Sequence, residues 1–154
     1  MVCVTRLIRV LESKGMSSLD RMIPDLQASF ACEDVRVEAS GAHTIIGIVN
    51  FIGAPALPIQ VIKLCVWTRW SSGVGQFEQV TRLIAPDEET VLAVAKTEFH
   101  LGNEENHTTN VNIFGGLQFR EAGAHHIEIL LDGELKLHYP LRVVLVQGQP
   151  PQST

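Results

Sequence analysis

The chain has 154 residues, 45% of them hydrophobic and only 19% charged, with a formal net charge of -5. That length suits one domain able to bury a core without staples, and the low charge excludes disorder except at the ends. The twelve Lys and Arg residues are scattered singly, so the basic cluster that nucleic-acid binding requires is missing.

The first elements lie before Pro24. Val4, Leu7, Ile8 and Leu11 recur at helical spacing, with Thr5, Arg6, Arg9 and Glu12 opposite them and Gly15 as a stop. The spacing predicts a short helix. The alternative is an extension preceding a start at Met16 or Met22, and on either reading residues 1–25 stand apart from the domain. No continuous apolar run of signal-peptide or membrane-span type occurs, which predicts a cytoplasmic protein with no membrane partner. Cys3, Cys32 and Cys65 have no metal-type spacing. Cys32 and Cys65 sit in apolar runs as small hydrophobes, the alternative being a disulfide between them under oxidising conditions.

From Leu26 onward the pattern changes to short β-rich runs between turn residues. "SFACEDVRVEA" ends at Ser40-Gly41, and "HTIIGIVNFIG" runs to Pro55 and Pro58. "IQVIKLCVWTRW" is apolar on both parities, as in a strand covered on both faces. "QFEQVTRLI" leads to the turn "APDEE", and "TVLAVAKTEFHL" leads to a polar loop "GNEENHTTN". "VNIF" precedes Gly115-Gly116, and "HHIEILLDGELKLHYPLRVV" supplies a closing hairpin. Regular spacing of about eight strands predicts an all-β, two-sheet antiparallel sandwich over residues 26–146, with 147–154 as a disordered tail.

The hairpin allows a register to be argued. Ile127, Ile129 and Leu131 face one way, as do Leu135, Leu137, Tyr139, Leu141, Val143 and Leu145. A two-residue turn at Asp132-Gly133 would pair Leu131 with Glu134 and set core residues opposite solvent residues. A three-residue loop, Leu131-Asp132-Gly133, removes the mismatch. It pairs Ile129 with Leu135, Ile127 with Leu137, Glu128 with Lys136 and His126 with His138. Pro140 falls on the outward parity, which suggests an edge or bulge there.

Two facing imidazoles do not make a zinc site, which takes three or four protein ligands. His126 and His138 are therefore read as solvent-exposed strand residues, and His43, His100 and His107 as surface residues near turns. "SSGVG" lacks the Lys and the following helix of a phosphate loop. Asp87-Glu88-Glu89 reads as a solvated turn. Trp67 and Trp70 fall on opposite faces of one strand. Trp67 is assigned to the core, and Trp70 is left as partly packed or available to a ligand. No catalytic, cofactor-binding or metal-binding residue is nominated.

The succession "ACEDVRVE", "HTIIGIVNFI", "PALPIQVIKLCVWTRW" and "GGLQFREAGAHHIEILLDGELKLHYPLRVV" resembles a family of small bacterial proteins catalogued only as a domain of unknown function. The resemblance covers about residues 26–146. It rests on the first strand with its Asp-Val pair, the Ile-Gly-Ile strand, the Phe-x-x-x-Gly turn and the Asp-Gly-Glu hairpin. After Pro86, where the family pattern often has Asp-Gly, this chain has Glu88. The resemblance implies a β-sandwich of immunoglobulin-like architecture, a domain beginning near Met22, and no catalytic residue to carry over.

These readings give a non-catalytic module acting by association with a protein partner or with itself, as a homodimer. A small-ligand or carbohydrate-binding module using Trp70 is the alternative, and a metal-dependent enzyme built on His126 and His138 the third.

Overall fold

The computed structural model describes residues 21–148. The N-terminal stripe from Val4 to Leu11, Cys3 and most of the C-terminal tail lie outside them. Nine strands are present among the described residues: β1 (Asp25–Val37), β2 (His43–Ile48), β3 (Phe51–Ala54), β4 (Ile59–Ser71), β5 (Gly75–Ile84), β6 (Val91–Leu101), β7 (His107–Phe119), β8 (Gly123–Leu131) and β9 (Glu134–Leu145). They form a four-stranded sheet in the order β2-β1-β4-β7 and a five-stranded sheet in the order β3-β9-β8-β5-β6. The four-stranded sheet is antiparallel throughout. The five-stranded sheet is mixed, because β3 runs parallel to β9, and it curls into half a barrel.

The ninth strand comes from the run at residues 43–53, which the sequence presents as one element. It breaks at Val49-Asn50. His43–Ile48 pairs with β1 in one sheet, and Phe51–Ala54 crosses over to pair with β9 in the other. The Val49 amide donates to the Ala31 carbonyl at 2.8 Å and anchors the crossing. A strand pattern shows which residues are extended but not that the chain changes partner within it.

The core lies between the sheets. Leu64, Val66, Trp70, Phe114 and Phe119 come from one sheet, and Phe77, Leu83, Phe99, Ile127, Ile129 and Leu141 from the other. A second cluster covers the outer face of the four-stranded sheet, where Cys32, Cys65 and Trp67 pack with Ala28, Phe30, Val35, Ile45 and Val111. This explains why β4 is apolar on both parities. Cys32 and Cys65 are free thiols directly opposite each other across β1 and β4. Burial, and then the neighbouring Cys65, push the Cys32 thiol up to about 11, so it stays protonated and unreactive at neutral pH.

The closing hairpin corrects the expected register. Leu131 pairs with Glu134 across a two-residue turn, Asp132-Gly133, with φ of 49° and 84°. Positive φ at both central residues is the mirror-image turn that suits strand twist. The parity mismatch that such a turn creates is removed further along, not at the turn. Leu130 pairs with Leu135 but Ile129 pairs with Leu137, so Lys136 is an extra residue and forms a bulge. Every expected pair beyond it is therefore displaced by two, which preserves the faces while changing the partners. Glu128 lies opposite His138, and its carboxylate accepts from Arg82 Nη2 at 2.6 Å instead of meeting Lys136, which bridges to Glu134. Leu135, before the bulge, is turned out and half exposed. Pro140 lies where β3 no longer covers β9, since that pairing spans only Arg142–Leu145.

Gly133 needs its positive φ but has open space around its Cα. Gly133→Ala is therefore expected to cost roughly 1 kcal/mol through backbone strain alone. Urea unfolding of both proteins checks this, and equal midpoints would show that the turn is not held in the left-handed region.

Candidate functional site

Six polar side chains and the indole N–H of Trp70 meet between the sheets. Gln79 on β5 is fully buried, and its amide oxygen accepts from Trp70 Nε1 at 2.7 Å, Thr68 Oγ1 at 2.9 Å and Asn110 Nδ2 at 2.9 Å. Its Nε2 donates to Thr81 Oγ1 at 2.9 Å and to Asn112 Oδ1 at 3.0 Å. The Thr81 hydroxyl donates to Asn112 Oδ1 at 2.7 Å, and Asn112 Nδ2 donates to Thr97 Oγ1 at 2.8 Å. Both hydrogens of the Gln79 amide and the lone pairs of its oxygen are occupied, as a buried amide requires. Sequence reasoning missed this cluster because it assigned Asn110 to a polar loop. The loop is only residues 102–106, and β7 begins at His107. The available signal was the alternation of Asn110 and Asn112 with Val111 and Ile113.

This network decides how the two sheets meet at one side. β6 and β7 are edge strands of different sheets and make no ladder with each other. The Asn112–Thr97 bond clasps them in the middle. Beyond the clasp they diverge, leaving a groove of about 620 Å³ lined by Thr90 of the preceding turn, Val91–Ala93 of β6 and Ile113–Gln118 of β7, with Arg120 at one end. The divergence has a local cause in Gly115-Gly116. Phe114 and Leu117 are three apart yet both buried, so the alternation must break between them. Gly116 makes that break at φ 64°, a conformation that side-chain-bearing residues rarely adopt. Ile113 is 60% exposed, and Val91, Leu92 and Val94 are also open to solvent.

The groove continues into a smaller cavity of about 170 Å³, which shares Thr90, Leu92, Gln118 and Arg120 and adds Ala85, Asp87, Glu121 and His125. Asp87 shapes its rim. One carboxylate oxygen accepts from the amides of Glu89 at 2.9 Å and Thr90 at 2.8 Å, and the other accepts from the Thr90 hydroxyl. These bonds, led by that from the hydroxyl, hold the Asp87 carboxyl below its usual range. The turn carries Glu88 at φ 63°, the conformation that glycine adopts without strain. His125 is 1% exposed, packs edge-on against Phe119 with ring centroids 4.9 Å apart, and has no partner for Nδ1. Burial lowers its pKa, partly offset by the Gly123 backbone and Glu121.

A histidine whose folded pKa lies below its unfolded value leaves stability intact above about pH 6.5 and loses it as pH falls, because the unfolded chain then binds more protons. Wild-type protein is therefore expected to lose stability between about pH 7 and pH 5, relative to His125→Gln. Urea midpoints of both proteins across that range test it, and parallel curves would contradict it.

The residues weighed from sequence fall elsewhere. His126 and His138 stack on the outer face, with centroids 4.3 Å apart and planes 29° apart. Stacked rings carry their in-plane lone pairs side by side rather than converging on one ion. Among the described residues, no group of three or more His, Cys, Asp or Glu side chains is placed to hold a metal ion. Both tryptophans are buried, Trp67 as expected and Trp70 more completely than expected. Trp70 is fully buried between the sheets and bonded to Gln79, so it offers no face to a ligand, whereas Trp67 lies in the outer cluster, stacked on Phe30 and donating to His43 Nδ1 at 3.1 Å.

A family model matches residues 27–144, the stretch from β1 almost to the end of β9. The chain belongs to DUF6941, a family of unknown function. The match takes in both sheets, the buried network, the groove and the His125 cavity. No curated protein matches the chain.

Proposed function

We propose that this DUF6941 domain is a non-catalytic, immunoglobulin-like module that works by associating with another protein or with a second copy of itself. The order β9-β8-β5-β6 follows the G-F-C-C′ order of variable-type immunoglobulin sheets, which supports that comparison. The observation that carries the functional reading is the open half of the β6–β7 seam. Two strand edges without ladder partners face each other there across an apolar groove. Unpaired edges beside exposed apolar residues are sites where another chain adds as a strand.

Hydrogen exchange of the full chain at low and high concentration tests the reading. Self-association through the seam is expected to protect the amides of Val91–Ala93 and Ile113–Leu117 at high concentration, and Ile113→Asp is expected to remove that protection. An assembly that forms without protecting these amides and persists in Ile113→Asp would place association elsewhere and end this reading. A chain that stays monomeric moves the test to a partner segment.

A further inference from the structure

The groove differs in charge from the rest of the chain. The protein carries a net charge of -5, yet among the residues lining the larger cavity the one formal charge is Arg120. Among the described residues Arg120 has no ion-pair partner. The groove does not end there, because the cavity containing His125 continues beyond it, with Asp87 and Glu121 on its walls. Neither carboxylate forms an ion pair with Arg120, and both Asp87 oxygens are engaged by hydrogen bonds within its own turn.

We infer that the seam takes an extended internal segment of a partner protein, apolar where it lies between β6 and β7 and carrying an Asp or Glu side chain at Arg120. The inference rests on the association reading above and names the partner's chemistry. Three features select this occupant. The edges of β6 and β7 offer backbone donors and acceptors that an extended chain can meet. Gly115 and Gly116 present no side chain, so a backbone approaches closely, while Ile113 and Leu92 give apolar contact. The cavity running on past Arg120 suits a chain that passes through rather than one that ends there, which favours an acidic side chain over a terminal carboxylate.

The test uses a displayed library of random twelve-residue segments, fused at both ends so that no free terminus exists. It is selected against the full chain and, in parallel, against Arg120→Glu and Ile113→Asp. Wild-type protein is expected to enrich segments with apolar residues followed by Asp or Glu. Arg120→Glu is expected to weaken those segments about three- to tenfold and to enrich Lys or Arg at the same position. Circular dichroism of each variant confirms that it is folded. Apolar segments enriched without an acidic preference, and equally by Arg120→Glu, would overturn this inference while leaving the association reading standing. A second library displayed with a free carboxyl terminus is selected in parallel, and enrichment confined to it would also overturn the inference. No difference between wild type and Ile113→Asp would remove both.

Discussion

Gln79→Leu is expected to cost about 3–5 kcal/mol, a large fraction of the roughly 5–15 kcal/mol that stabilises a domain. Leucine is close to glutamine in size, so the loss does not come from volume. It comes from the groups left behind. Trp70 Nε1 and Asn110 Nδ2 each lose their acceptor in a site without solvent, and Asn112 Oδ1 loses one of two donors. A buried donor without a partner costs about 1–3 kcal/mol, and the members of one network fail together. Because Asn112 also holds Thr97, the substitution should loosen the β6–β7 clasp, visible as faster hydrogen exchange on both edges. Urea unfolding settles the magnitude. A loss below about 1 kcal/mol would mean that the amide contributes little and that apolar packing alone holds the seam.

Trp70→Ala is expected to be as damaging, at about 3–5 kcal/mol for truncating a large buried aromatic. Trp70 stacks on Phe99 with centroids 5.9 Å apart and is fully enclosed between the sheets. Trp67→Ala should cost less, because Trp67 packs in the outer cluster, where only one sheet supports it. The order of the two values is the prediction, and it reverses the order that the sequence suggests. Denaturation of the two single variants decides it. A larger loss for Trp67→Ala would mean that the outer cluster, not the inter-sheet core, anchors the fold.

The all-β class, most strand locations and the two-faced burial of β4 were legible in the sequence because each follows from local periodicity. So was the odd-with-odd matching of β8 and β9, since Ile127, Ile129, Leu141 and Val143 must all face the core. The placement of the bulge was not legible. A bulge at Gly133 and a bulge at Lys136 satisfy parity equally, and the two-residue turn prevails because Asp132 is held from the side. Its backbone amide donates to the Glu78 carbonyl at 2.9 Å, and its carboxylate accepts from the Glu78 amide at 2.9 Å and pairs with Arg21. Those partners lie more than fifty residues away in the chain.

The candidate site was almost invisible for the same kind of reason. Gly115-Gly116 read as a break between strands, whereas β7 runs through it and only its alternation breaks. Arg120 and His125 looked like ordinary turn and strand residues, and Gln79, Thr81 and Asn112 like solvent-facing polar positions. The sequence by itself determined that alternating apolar residues build sheets, because a strand's side chains point alternately to its two faces and each apolar face must be buried. Only the tertiary structure decided which sheet each strand joined, that a polar cluster sits in the core, and that the β6–β7 seam stays open. Those outcomes depend on hydrogen-bond partners supplied by distant strands, and no local pattern encodes where such partners will be.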